Sequence, residues 1–263
     1  MAGMLLRRLI AKPTRTVERD TVLFPAADGG APIQIQRVRD PRARRIRLSV
    51  DERGARLTLP MRASLVAGDR FLALHRDWLY DQLARSVQAC EVQPLQPGQS
   101  THLPLRGALI PLHWQPGRYA RLALEDDGLH VQWPARGSQA TLARALREFY
   151  EAQARSDVAR WMPRHLPGLP RAPSRLRLKI MSSQWGSLSP DGTMALDLSL
   201  VLARPSAFEY VLVHELCHLA QANHSQAFWN EVERRFPDWR AERAYFHEEG
   251  RALKAQLRAL LQP

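Results

Sequence analysis

The stretch Tyr210-Val-Leu-Val-His-Glu-Leu-Cys-His-Leu219 limits what this chain can become more than any other. It follows Pro205-Ser206-Ala-Phe-Glu209, in which Ser206 and Glu209 have the spacing of a capping box, so a helix is predicted to start at Ala207. Residues four apart on a helix are turned by about 400°, which puts His214 and His218 on one face, one turn apart. Two imidazoles so placed can share a metal ion at about 2.0 Å from each ring nitrogen. Glu215 stands at the next helical position, from which its longer arm reaches a water beside the ion without becoming a ligand. That is the geometry a general base needs.

An open catalytic zinc site takes three protein ligands, so a third donor has to come from elsewhere. His224 is the favoured candidate. In a continuous helix it would lie about 120° away from His218, off the metal face, so the helix must end first. Asn223, which tolerates the left-handed conformation, is a candidate stop. Ser225 can then cap a second helix with Phe228, Trp229, Val232 and Phe236 as its apolar stripe. A carboxylate ligand from Glu231, Glu242 or Glu248 is the alternative. The spacing also fits the longer HExxHxxGxxH pattern, but Gln221 replaces the required glycine and every methionine precedes the motif, which excludes a downstream Met-turn.

Around this centre, Tyr210 lies one turn before His214, either packing beneath the metal or donating to an oxyanion. Trp185-Gly186-Ser187 reads either as an edge strand able to pair with an extended peptide or as an aromatic anchor before a hairpin. These residues, Trp185, Gly186 and Tyr210, are the candidate substrate contacts. Cys217 points to the core side of the helix and reads as packing. Trp229 and Trp239 are expected to wedge the second helix behind His224, and Asp238 either orients a ligand histidine or faces solvent. The other six histidines (His75, His102, His113, His130, His165 and His247) have no paired spacing and read as ordinary.

Upstream, alternation of apolar and polar residues predicts strands over Thr21–Pro25, Pro32–Arg39, Arg45–Asp51 and Ala55–Pro60, read as a small antiparallel sheet. Turns are expected at Asp28-Gly29-Gly30 and Glu52-Arg53-Gly54. A helical stripe from Val66 to Val87 crosses one face of it. Strand character returns over Leu103–Trp114 and Arg118–Trp133, broken at Asp126-Asp127-Gly128. Pro134 to Ser138 is the expected lobe boundary. A long amphipathic helix then stops near Pro163 and Pro167, and Arg175–Met181 turns through Ser189-Pro-Asp-Gly192 into Met194–Leu198 as a hairpin. The expected organisation is a basic flexible lead over 1–20, a strand-rich lobe with one helix over 21–136 and a metal-bearing lobe over 137–263.

The 263 residues suffice for a large core without disulfides or a structural metal. Two cysteines, Cys90 and Cys217, are too few for a disulfide framework, and a reducing cytoplasm is the expected compartment. No apolar run reaches the roughly 18 residues of a membrane span, so no membrane association is expected. Of the net charge of +12, +7 falls in residues 1–50, and only Lys12, Lys179 and Lys254 among the 38 cations are lysines. A basic region of this kind suits a nucleic acid or nucleotide partner through backbone phosphates.

The segments Gln184-Trp-Gly-Ser187, Leu198–Pro205, Tyr210–His218, Asn223-His-Ser225, Phe228-Trp229 and Pro237-Asp-Trp239 resemble the YgjP-like metallopeptidases, relatives of the SprT-like zinc proteases. The resemblance extends more weakly to Arg44–Leu48 and Trp78. It implies an α+β chain, a strand-rich N-terminal lobe followed by a compact zincin-like (HExxH) metallopeptidase lobe. His214, His218 and His224 would bind one Zn2+, Glu215 would act as base, and a peptide or protein would be the substrate. Gln184 stands where the family usually has a basic residue, Leu188 where it often has cysteine and Asp197 where it often has asparagine. Three other readings stand beside a peptidase: a metal-dependent nucleotide phosphohydrolase, a DNA-associated protease docking through the basic region, and a structural zinc module.

Overall fold

The computed structural model describes residues 17–25, 32–51, 54–89 and 94–262. The chain divides into two compact units, one ending at Ser86 and one beginning at Val87. The lead over 1–16, the Asp28 turn, residues 52 and 53 of the second turn and Cys90 lie outside the described residues.

The first unit is built on four strands: β1 (Glu18–Phe24), β2 (Ile33–Asp40), β3 (Arg47–Asp51) and β4 (Gly54–Pro60). Residues 18–20, expected in the lead, already belong to β1. The order is β1-β2-β4-β3, and the β2–β4 pair is parallel, so the sheet is mixed where an antiparallel one was expected. Along β4 the alternation holds strictly: Ala55, Leu57 and Leu59 are buried, and the residues between them are not. The single helix expected over 66–87 is two, α1 (Leu65–Leu74) and α2 (Arg76–Ala89), interrupted at His75. Ser64 caps α1 by accepting from the Ala67 amide at 3.1 Å. At Gly68 a Cβ would lie 3.1 Å from Leu59 Cδ2, so the small residue lets α1 lie close on β4.

The second unit opens with β5 (His102–Leu105), β6 (Ala108–Pro116), β7 (Arg121–Glu125) and β8 (Gly128–Trp133), in the order β5-β6-β8-β7. Arg106 and Gly107, with φ of 51° and 79°, form the two-residue turn between β5 and β6. Left-handed backbone at a non-glycine is unfavourable by about 1–2 kcal/mol. Arg106 is fixed there by Asp157, 2.9 Å from its Nε, and by Gln153. Those partners lie on α3 (Gln139–His165), which carries Pro163 in its last turn and stops before Pro167, as expected.

Leu103, Leu105, Leu129 and Val131 share one buried cluster with Leu142, Leu146 and Tyr150 of α3, and Tyr150 Oη donates to Pro104 O at 2.9 Å. The boundary drawn near Pro134 therefore falls inside this unit. The second sheet cannot cover its own apolar face and uses α3 to do so.

The rest of the unit comprises β9 (Arg175–Lys179), β10 (Gly186–Leu188), β11 (Thr193–Asp197), a 3₁₀ helix (Leu198–Leu202), α4 (Pro205–Cys217), α5 (Gln226–Arg235), α6 (Trp239–Glu248) and α7 (Gly250–Leu260). Strand order is β10-β11-β9, with β11 parallel to β9 and antiparallel to β10. The Ser189–Gly192 turn is a hairpin turn, but it joins β10 to β11, not β9 to β11. Among the described residues, no helix is long and apolar enough to cross a membrane.

Candidate metal centre

Helix α4 begins at Pro205, two residues before the expected start, and the Ser206–Glu209 box does not form. Proline suits the first helical position because its missing amide would have no partner there. Glu209 instead accepts from Arg164 Nε at 2.8 Å and pairs with His165. Phe208, Val211, Leu212, Leu216 and Cys217 are buried, so Cys217 packs in the core as expected.

The helix ends at Cys217 with His218 as its cap. Bonds from the Leu219 amide to Leu216 O and from the Ala220 and Gln221 amides to Cys217 O tighten this end. Asn223 does not supply a left-handed stop, since Arg106 is the sole non-glycine with positive φ among the described residues. Its side chain instead accepts from the Ser225 amide at 3.2 Å, shaping the elbow that precedes α5.

This elbow returns His224 to the helix face. His214 Nε2 and His224 Nε2 are 3.0 Å apart, and one ligand atom from each of His214, His218 and His224 lies within 4.8 Å of the others. Nitrogens held about 2.0 Å from a common tetrahedral ion stand about 3.3 Å apart, close to the His214–His224 separation, so the donor set suits a divalent transition metal. Gln221 O, 3.1 Å from His218 Nδ1, accepts from that nitrogen and leaves Nε2 free for an ion. Burial, and then the neighbouring imidazoles, push His214 down to about 3, and burial lowers His218 as well; the neutral ring is the ligating form. Among the described residues the buried His214 Nδ1 has no hydrogen-bond partner, whereas Nε2 faces His224 Nε2.

Phe228 floors the cluster. Its ring stacks on His218 at 4.5 Å and meets His214 and His224 edge-on at 4.9 and 4.7 Å. Trp229 and Trp239 stack at 4.4 Å behind His224, in the wedge expected of them. Glu231 is engaged by Arg234 and Arg235, and Glu242 by Arg204, so neither carboxylate joins the cluster. Asp238 precedes α6 without a side-chain cap bond.

Glu215 is 5% exposed, and burial raises its carboxyl to about 8. It borders a cleft of about 320 Å³ that also reaches His214, Tyr210, Trp185 and Gly186. Tyr210 meets the His214 ring edge-on at 6.0 Å, and burial pushes its phenol up to about 12. Gly186 lies against the acid: a Cβ there would be 2.6 Å from both Cγ and Oε1 of Glu215.

Several contributors were not singled out from sequence. Arg243 and Phe246 of α6 line the same cleft, as do His247, read from sequence as ordinary, and Gln184, marked there only as a departure from the family pattern. Lys254 of α7 donates to Asp197 Oδ2 at 2.9 Å, Met181 O at 3.0 Å and Gln184 O at 2.9 Å, and its Nζ lies 4.2 Å from the Trp185 ring centroid. It thereby fixes the segment that leads into β10. Pairing distances of 57 to 73 residues leave no local trace of this.

In the basic region, Arg37 pairs with Asp20 and Asp69, and Arg39 with Glu18 and the carbonyls of Met61 and Ala63.

Residues 44–249 match the family model described as the YgjP-like metallopeptidase domain. The chain belongs to the YgjP-like metallopeptidase family. It is thus a metallopeptidase-type hydrolase of mixed α/β architecture, and its family implies a peptide or protein substrate. Among solved structures, the crystal structure of the metallopeptidase zymogen of Pyrococcus abyssi abylysin is 25% identical, covering 38% of this chain and 92% of that one, with a TM-score of 0.29. No curated protein gives a match.

Proposed function

We propose that this YgjP-like chain is a zinc-dependent peptidase with a zincin-like catalytic lobe, in which His214, His218 and His224 hold one Zn2+ and Glu215 is the general base. The observation that carries this reading is the return of His224 to the face of α4, beside His214 and His218, with Glu215 at the adjoining cleft. When bound, the ion would polarise the scissile carbonyl and make a water acidic enough to attack at neutral pH. Among the described residues no fourth protein ligand joins the three histidines, so a coordination position would stay open, which favours catalysis over a structural zinc module.

Glu215 takes the proton of the attacking water and returns it to the leaving amine. Its burial against the backbone at Gly186 holds the carboxylate in one place while that proton moves. Strand β10 is terminal in its sheet, and its outer edge gives an extended peptide backbone groups to pair with beside Trp185 and Gly186. Tyr210, next to His214 on the cleft wall, is placed to donate to the developing oxyanion, and Arg243 offers positive charge for a substrate carboxylate.

The test is Glu215→Gln in the full chain, assayed against peptide and nucleotide panels with zinc content measured alongside. Zinc content should stay at the wild-type level while peptide hydrolysis falls about 10²- to 10⁴-fold. Undiminished peptide turnover would remove Glu215 from the reaction. Phosphate release from nucleotides with no peptide cleavage would replace the peptidase by a phosphohydrolase.

A further inference from the structure

We propose that His113, His130 and Asp127, with Glu125 as a fourth donor, form a second divalent-metal site on the outer face of the β5-β6-β8-β7 sheet, suited to Zn2+, Ni2+ or Cu2+. Strand pairing brings the two imidazoles together. Leu112 is in register with Leu129, and both are buried, so the next pair, His113 with His130, projects from the opposite face. Their ring centroids are 4.8 Å apart, tilted by 35°.

The turn between β7 and β8 supplies the oxygens. Gly128 has φ +143°, and a Cβ there would lie 2.6 Å from Pro111 O and 3.1 Å from His113 Nε2, so the turn presses directly onto β6. Asp127 is thereby laid over the rings. Its Oδ1 is 2.8 Å from His130 Nε2, its Oδ2 3.7 Å from His113 Nε2, and its main-chain O 3.1 Å from His113 Nε2. Glu125 Oε2 stands 3.7 Å from His130 Nε2. One ligand atom from each of His113, Asp127 and His130 lies within 4.8 Å of the others.

Two imidazoles and two carboxylates make a donor set for a four-coordinate borderline ion, whereas Mg2+ and Ca2+ call for oxygens alone. The side chains of His113, His130 and Asp127 are 40%, 21% and 64% exposed, so an ion can enter from solvent. On binding it takes the place of the proton between His130 and Asp127. The Gln115 amide, 3.3 Å from His130 Nδ1, can present its oxygen to Nδ1–H and leave the Nε2 lone pair to the ion. The site shares no residue with His214, His218 and His224 and does not depend on their function.

The test is Zn2+ uptake by the metal-stripped full chain, followed by calorimetry and native mass spectrometry. His130→Gln and Asp127→Asn should each take up one equivalent fewer than wild type, while His218→Gln keeps that equivalent. Far-UV dichroism of the stripped variants should match wild type, since the replaced groups lie on the surface of the sheet. Uptake unchanged in both His130→Gln and Asp127→Asn overturns the site, whatever the other cluster binds.

Discussion

Gly186→Ala probes how tightly the acid of the cleft is positioned. The new methyl carbon would fall 2.6 Å from Oε1 and Cγ of Glu215, against about 3.4 Å for ordinary contact, so something must yield by about 0.8 Å. Strand β10 is poorly placed to retreat. Gly186 pairs with Leu196, and the Asp197 amide donates to Trp185 O at 2.8 Å just before it. The Glu215 carboxylate is the freer partner, and it moves. A displacement near 1 Å at a reacting group can cost about 10²-fold in rate, or about 2.7 kcal/mol of barrier. Overpacking adds about 1–3 kcal/mol of lost stability. Steady-state kinetics on a cleaved peptide, with zinc content and Tm measured on the same samples, should show a kcat about 10²-fold lower, a nearly unchanged KM and full zinc content. Wild-type kcat in a folded Gly186→Ala protein would refute the view that close approach of β10 positions Glu215.

Lys254→Met removes the cation beside the Asp197 carboxylate, which is 1% exposed and keeps the Met181 and Ser199 donors, and should cost about 3–5 kcal/mol in urea unfolding, part of it recovered by adding Asp197→Asn. Asp157→Asn weakens the clamp on the left-handed Arg106; with Arg106 27% exposed, a loss of about 1–3 kcal/mol in the same assay is expected. Stripping metal with a chelator should lower Tm and speed amide exchange selectively over residues 219–225. The stabilisation lost is about 4 kcal/mol if free Zn2+ had been a thousandfold above Kd.

What could be read from sequence was what the chain encodes within a few residues. The His214–His218 face, the need for a helix end before His224, the apolar stripe of α5 and the alternation of β4 all follow from periods of 3.6 and 2 acting locally. Strand existence was legible where strand partners were not. Parallel pairing of β2 with β4 and of β9 with β11 depends on which hydrophobic faces find cover, and alternation alone carries no sign of direction. The start of α4 was displaced for a related reason, although α5 does begin directly after Ser225. Ser206 and Glu209 have the letters of a cap, but Glu209 has Arg164 and His165 within reach from α3, and the charged partners win over the local amide.

The same distinction separates the two clusters of histidines. In the first, two rings come from one helical turn, so spacing alone exposes them. In the second, the rings stand 17 positions apart and meet because β6 and β8 are parallel neighbours with Leu112 and Leu129 in register beneath the surface. Parallel neighbours require a crossover, here through β7, and it is the tightness of the β7–β8 turn at Gly128 that carries Asp127 back over the pair. Glycine has a corresponding part beside the first cluster, where Gly186 brings a strand backbone against Glu215. In both places the missing Cβ is what permits the approach: at Gly128, where φ is +143° and a Cβ would meet the Pro111 carbonyl, substitution strains the turn itself, whereas at Gly186 it bears first on the Glu215 side chain.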